Sequence, residues 1–527
     1  MFLVPQKRFS DLVAALLNDY GTDQGDGIVA SASSENVQRH REPASLSSLI
    51  RSYGVYTICS VPVIVDWSPA ILKFFTSIVG LRELTQIVVR HTFFAQFVGG
   101  DTVNDTVPLL SHLRKENKGG LLAYSVEVDE HEATNHDLQS LPVYKQNVEE
   151  MIHSIDIAAD FEASLGSVSG ASRKTWVALK MTALTPSSQT LIKFSDFLLQ
   201  NRPTDSGVVY PGLPHPSDLN VLEERTSLKT TPSSLSQEEI RALVELRDDL
   251  FRICKRARER GVKPAIDAYA LALMRTFNKN PSRRPSSFTS LFNSNQSIQS
   301  HDTQPLIYGT FQAYLRRTPE YLQASIKDAK QNGYSLGVKL VRGAYHPHEI
   351  EHHRKRHTSA LTSLPPVWLE KRETDTCYDN CIGVLLSEVK NDIKSKANNI
   401  GVLFGTHNWV SARKVIEGLA GHGLASVEQG SGGLVHDPVI RVDDDVSERI
   451  VIGQLYGMSD ALSDYLVDHV RSPSPFVIKY IPYGALAEVM PYLGRRAIEN
   501  KAVLGGPGGA SEERRRAGAE IWKRVFG

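Results

Sequence analysis

Near the end of the chain, Tyr492, Arg495, Arg496 and Glu499 stand three or four residues apart in PYLGRRAIENK, so on a helix all four face the same way. Two adjacent arginines beside tyrosines suit a small carboxylate. Guanidinium offers a planar bidentate fork and stays charged when partly desolvated. A solvated basic turn would use the same residue types, so the rest of the chain must decide. A β-branched run at 477–481, which contains Tyr480, and a Pro-Tyr-Gly turn lead directly into this segment. Lys180 ends another short apolar run, TWVAL, and charged residues ending strands are how a (β/α) barrel presents chemistry.

The elements that would position these groups alternate along most of the chain. Apolar stripes at helical spacing (Leu49, Tyr53, Leu72, Phe75, Ile78, Leu84, Ile87) predict a helical arm over residues 47–118. Strand-like runs follow at 120–126, 175–179, 306–311, 336–341, 402–404, 450–455 and 477–481, most with helical sequence between them. Ser236 and Glu239 form a capping box that opens a helix ending at Gly261. Residues 264–277 (PAIDAYALALMRTF) also read as helix, with Pro264 at its first position and Ile266, Ala270, Leu273 and Phe277 at helical spacing. That count of seven strands is one short of a closed barrel. Residues 278–304, rich in Ser, Asn and Pro, read as a flexible insertion, 504–527 as a C-terminal tail, and 1–46 as a poorly ordered N-terminal segment.

Composition excludes some classes. Among 527 residues, Lys+Arg and Asp+Glu each number 59, so no global field attracts nucleic acid. Four scattered cysteines make no disulfide framework, as expected of a reducing compartment. No apolar run reaches membrane-spanning length, which leaves a peripheral membrane contact open.

Five motifs stand in collinear order: QAYLRR (312–317), KLVRGAY (339–345), THN (406–408), QLYGMSD (454–460), and KYIPYG with RRAIEN (479–484 and 495–500). Together they resemble the proline dehydrogenase family, specifically its monofunctional eukaryotic branch. The resemblance implies a distorted (β/α)8 TIM-type barrel, residues 119–503, that binds FAD at the C-terminal ends of its strands. It implies oxidation of L-proline to Δ1-pyrroline-5-carboxylate, with electrons passed to membrane quinone on the matrix side of the inner mitochondrial membrane. By the same resemblance Arg495 and Arg496 hold the substrate carboxylate with Glu499 as their partner. Tyr345, Tyr480 and Tyr492 wall the ring, Leu455 makes an apolar contact and Lys180 stands beside the substrate. The cofactor contacts carried over are Gln312, Lys339, Val341, Arg342, Gly343, Ala344, His407 and Asn408. Tyrosine at 480 is similar to enzymes that prefer proline over 4-hydroxyproline.

One departure stands out. The family's third strand carries an aspartate, in a motif like (V/I)DAE, that pairs with the lysine matched by Lys180. Here Asp267 imitates the motif but lies on a helical pattern, and Tyr269 replaces the acid. The expectation is therefore a barrel lacking its third strand, with Lys180 deprived of its partner. The alternative function is then a catalytically impaired relic that binds flavin or carboxylate, or a chain from which a segment has been dropped. His348-Glu349-Ile350-Glu351-His352 spells a zinc-protease motif, yet it follows a strand within five residues and reads as a polar surface helix, so no metal is expected. The glycine-rich stretch 505–509 reads as tail, and Cys377 with Cys381 as buried small side chains.

Overall fold

The computed structural model describes residues 45–78, 80–125, 142–166, 173–201, 235–267, 270–279, 304–356, 364–397, 399–428, 438–502 and 510–526. The segment expected to be poorly ordered (up to residue 44), most of the expected insertion (280–303) and the glycine-rich stretch 505–509 lie outside these residues.

Eight parallel strands close a barrel: β1 (Lys118–Tyr124), β2 (Thr175–Leu179), β3 (Pro264–Ile266), β4 (Tyr308–Gln312), β5 (Leu336–Val341), β6 (Ile400–Gly405), β7 (Ile450–Leu455) and β8 (Val477–Tyr483). Each pairs with the next, and β8 pairs with β1 along its whole length, Lys118 opposite Val477 through Tyr124 opposite Tyr483.

The third strand, expected to be missing, is present, and the helix expected over 264–277 is confined to Ala270–Phe277. Ala265 stands opposite Ala178 on one side and Tyr308 on the other, and Ile266 opposite Leu179 and Gly309. Pro264 has no N–H to give a ladder, but it occupies the first position of the strand, where proline is tolerated. Ala265 faces the barrel interior and Ile266 the helices outside. Over three residues that alternation cannot be told from helical spacing, which is why the sequence pattern misleads here.

Side chains alternate across the barrel wall as a closed sheet requires. Leu121, Ala123, Trp176, Ala178, Ala265, Tyr308, Leu403, Val451 and Ile478 fill the inside, with Tyr480 packed against them. Small Ala265 lies between the strands of two large rings, Trp176 and Tyr308, whose centroids are 4.6 Å apart. Leu122, Val177, Leu179, Val338, Val402 and Ile452 point outward into the main core beneath the helices.

The helices of the arm include α1 (Leu46–Cys59), α2 (Pro62–Ser77) and α3 (Leu81–Val89), and a further helix, Val107–Lys115, leads into β1. At the other end, α4 (Asp460–His469) follows β7 and α5 (Leu486–Ala502) follows β8. Residues 510–526, within the expected tail, form α6 (Ala510–Phe526). Val55, Tyr56, Cys59, Val65, Phe94 and Phe97 of the arm share one buried cluster with Val489, Tyr492 and Leu493 of α5 and Ala510 of α6.

The turn after β7 ties this assembly to the barrel. The Gly457 carbonyl accepts from the Tyr56 hydroxyl (2.5 Å) and from the Gln96 amide (3.1 Å). Gly457 has φ +72, and a Cβ there would lie 1.9 Å from the Gln96 carbonyl oxygen. Gly457→Ala should therefore cost about 2 kcal/mol or more, combining left-handed backbone strain with a backbone clash. Chemical denaturation of the two proteins measures it.

Candidate active site

Seven of the eight strands, all but β1, deliver candidate groups to the C-terminal mouth of the barrel. β2 ends before Lys180, β3 before Asp267, β4 on Gln312, β5 on Val341 with Arg342 next, β6 before Thr406, His407 and Asn408, and β7 on Leu455. Tyr480 projects from β8, and α5 brings Tyr492, Arg495, Arg496 and Glu499.

The structure joins the arginine end of α5 to the strand ends. Tyr492 and Arg496 are buried, and Arg495 and Glu499 half-buried. Arg496 donates to Glu499 Oε1 at 2.6 Å, and its guanidinium lies 4.8 Å from the centre of the Tyr492 ring. Burial raises the Glu499 carboxyl above its ordinary range, an effect that Arg496 and Arg495 oppose. Burial, with Asp267 and Tyr492 nearby, pushes the Tyr480 hydroxyl far upward, so it stays protonated. Arg496 acts electrostatically on Tyr480 and also on His407, which puts the arginine end of α5 near β8 and the end of β6. Leu455 packs into the cluster that contains Tyr492.

Asp267 is the residue that the sequence reading left unassigned. It directly follows β3, and its carboxylate lies 3.4 Å from Lys339 Nζ and 3.3 Å from the Thr310 hydroxyl. The Lys339 ammonium is 6.0 Å from the Tyr480 ring centre. An acid is thus present at the third strand end, contrary to the expected loss. The usable signal was PAI between a helix-stopping glycine and the aspartate, three residues that fit either element. Lys180 is half-buried and opens the turn Met181–Leu184.

Arg342 is held in place by Asp375 (2.7 Å), Thr406 (3.0 Å) and Ser411 (2.8 Å), with its guanidinium 4.3 Å from the Tyr378 ring centre. Three of its five N–H groups are committed in this way. The Asn408 side-chain oxygen caps the helix Trp409–Gly421 by accepting from the Val410 and Ser411 amides. Gly343 has φ +106, and a Cβ would overlap the Tyr314 ring at 1.7 Å, so only glycine lets the chain pass there. Tyr345, by contrast, is 52% exposed. The side chains of His348 and His352 lie outside the described residues, and among those described no group of His, Cys, Asp and Glu could hold a metal ion.

At this mouth, among the described residues, His407 and Tyr492 each keep a buried polar atom with no hydrogen-bond partner. His407 Nε2 accepts from the Leu455 amide at 3.3 Å, which leaves the proton of the neutral ring on Nδ1, and that atom makes no hydrogen bond. The Tyr492 hydroxyl likewise makes none. Buried orphan donors at a mouth lined by Lys339, Arg342 and Arg496 fit a bound anionic, acceptor-rich group such as a flavin nucleotide.

A closed parallel barrel whose chemistry-bearing side chains gather at the C-terminal ends of its strands is the frame of a (β/α)8-barrel enzyme. A family model described as proline dehydrogenase matches residues 109–506, and the chain belongs to that family. Mitochondrial proline dehydrogenase 1 of Dictyostelium discoideum is 26% identical over 474 residues, 88% of this chain and 70% of that protein. Rat (Rattus norvegicus) hydroxyproline dehydrogenase is 27% identical over 484 residues, 91% of this chain and 92% of that protein. Among solved structures, proline utilization A from Bdellovibrio bacteriovorus inactivated by N-propargylglycine superposes with a TM-score of 0.53 at 18% identity. That comparison covers 86% of this chain but 37% of the bacterial one, and it speaks to the fold alone.

His407 supplies a pH signature. Burial, with Lys479 and Arg496 nearby, lowers its pKa from 6.5 to about 3. Below pH 6.5 the unfolded ring takes a proton that the folded ring refuses until about pH 3, so stability falls as pH falls through that window. Each unit costs at most about 1.4 kcal/mol from this one group. Urea unfolding of His407→Gln should therefore show a shallower loss of stability between pH 6 and 4 than the parent chain shows.

Proposed function

We propose that this chain oxidises L-proline to Δ1-pyrroline-5-carboxylate with bound FAD and delivers the electrons to membrane quinone, at the matrix side of the inner mitochondrial membrane. The observation that carries this reading is the junction of Tyr480, Tyr492 and Arg496 over the Asp267–Lys339 pair, in a chain of the proline dehydrogenase family. The names of the curated relatives support the mitochondrial setting. The relic alternative was motivated by a missing strand, and β3 removes that motive.

In this reading Arg495 and Arg496 clamp the substrate carboxylate and so fix the ring's reacting carbon, which is catalysis by orientation. Glu499 keeps Arg496 aimed while leaving donor capacity for the substrate. Tyr480 and Tyr492 wall the ring, and Leu455 completes the apolar side, excluding water. FAD, when bound, supplies the two-electron acceptor. Gln312, Lys339, Val341, Arg342, Gly343, Ala344, His407 and Asn408 would hold it, with Lys339 and the free Nδ1–H of His407 the groups best placed to donate. Asp267 holds the Lys339 ammonium at the strand end, and Lys180 flanks the substrate. Tyr480 is too bulky beside the ring to favour a 4-hydroxyl group, so proline is the preferred substrate.

Addition of L-proline to the anaerobic full chain should bleach its visible flavin spectrum. Arg496→Met should lower kcat/KM for L-proline by 30-fold or more, the equivalent of losing at least about 2 kcal/mol of buried charge-assisted binding. Bound flavin that L-proline fails to bleach, or a higher kcat/KM for trans-4-hydroxy-L-proline, overturns the assignment.

A further inference from the structure

The arm presents its oily side outward. On α2, Val63, Ile64, Trp67, Ile71, Phe74 and Phe75 are each between 37% and 66% exposed, as is Ile78 just beyond its end. At 100° per residue these positions fall within one stripe about 120° wide. Val65, on the opposite side, is 2% exposed and packs into the cluster beneath. Leu84, Ile87 and Val88 of α3 extend the apolar surface, each more than half exposed. An ordinary soluble protein does not leave so many large apolar side chains together in water.

The chemistry of the surface selects its occupant. The spacing 64, 67, 71, 74, 78 would also fit a coiled-coil seam, but such a seam is flanked by charged residues that set register and partner. Here the sixteen residues of α2 include two charged ones, Asp66 and Lys73, and the flanks are Val63, Ser68, Ala70, Phe75 and Ser77. A surface with no register to read suits hydrocarbon, which has none to offer. Across residues 46–101 there are four basic residues (Arg51, Lys73, Arg82, Arg90) and three acidic ones (Asp66, Glu83, Asp101), with Arg90 paired to Asp101 at 2.7 Å, so the arm carries a small basic surplus on the side of anionic headgroups. No helix among the described residues is long and apolar enough to cross a membrane, so α2 would lie in the interface plane, with Trp67 at headgroup depth.

We propose that the α2–α3 hairpin is the membrane seat of this protein, docking on an anionic bilayer through Trp67, Phe74, Leu84 and their neighbours. This rests on the quinone acceptor of the proposed function, since an acceptor dissolved in lipid is reached only from a lipid surface. The geometry adds a consequence. The arm side that faces away from lipid packs with Leu455, Tyr492 and α5, so the seat lies directly behind one wall of the candidate site.

The test is co-sedimentation of the full chain with vesicles of phosphatidylcholine and cardiolipin, beside the double variant Trp67→Glu with Phe74→Glu. The variant should bind at least tenfold more weakly, and brominated lipids should quench tryptophan fluorescence in the parent but not in Trp67→Phe. L-Proline-driven reduction of a water-soluble dye should be unchanged in the double variant, which also shows that it has folded. Equal vesicle binding by parent and double variant overturns the seat, as does a parent dimer that the variant dissociates while vesicle binding persists. Vesicle binding lost in the variant while neither protein reduces dye leaves the seat standing and refutes the proposed function instead.

Discussion

Everything at the barrel mouth depends on three residues of backbone pairing. Without Pro264, Ala265 and Ile266, β2 and β4 would each expose a row of unpaired carbonyls and amides, and buried backbone groups left unpaired cost free energy comparable to lost hydrogen bonds. Closure also decides where strand ends lie relative to one another. Asp267 comes within reach of Lys339, two strands away, because β3 sits in register between β2 and β4. The small Ala265 side chain and the two large rings of Trp176 and Tyr308 fill one layer of the interior together, so a strand this short still meets a packed core.

Above that layer the polar groups form a graded field. Lys479, on the strand beside Tyr480, is almost fully buried. It is anchored to Asp460 at 2.9 Å, to the Ser463 hydroxyl at 2.7 Å and to the Met458 carbonyl at 3.0 Å. Burial disfavours the Asp460 charge, yet Lys479 and Lys118 hold the carboxyl below its ordinary range. A fixed ion pair of this kind adds little net stability but sets which way neighbouring groups titrate. His407 stays neutral beside it, and neutrality gives His407 a single directed N–H.

Much of this was legible in the chain because the relevant chemistry is local. Tyr492, Arg495, Arg496 and Glu499 share a helix face, and KLVRGAY or THN ends a strand, so short windows of sequence suffice to find them. The third strand was not legible, since three residues hold too little periodicity to separate strand from helix. Nor could the sequence show that Arg342 would lean on Asp375 and Ser411, or that the Asn408 carboxamide would be spent on a helix cap. Those partners come from distant segments or from a local choice between capping and ligand binding. The sequence pattern marked Phe75 and Ile78 at helical spacing but not the whole outward stripe of α2 with Val63, Trp67 and Phe74, because which way it faced depended on Val65 and the helices around it.

The first and last described helices are neighbours. Tyr53 of α1 lies against Gly518 of α6, and Tyr56 lies near Glu513, so the two run antiparallel. Glu513 accepts from the Ala461 amide, and Arg516 reaches Asp464 at 3.2 Å, both on α4 at the end of the β7 turn. On a ribosome, α1 emerges more than four hundred residues before the helix it packs against. Assembly of the arm therefore comes late in synthesis, with a large loop to close. Until it happens, the apolar surfaces on both sides of the arm stand open at once, one meant for the protein's own interior and one facing outward for good.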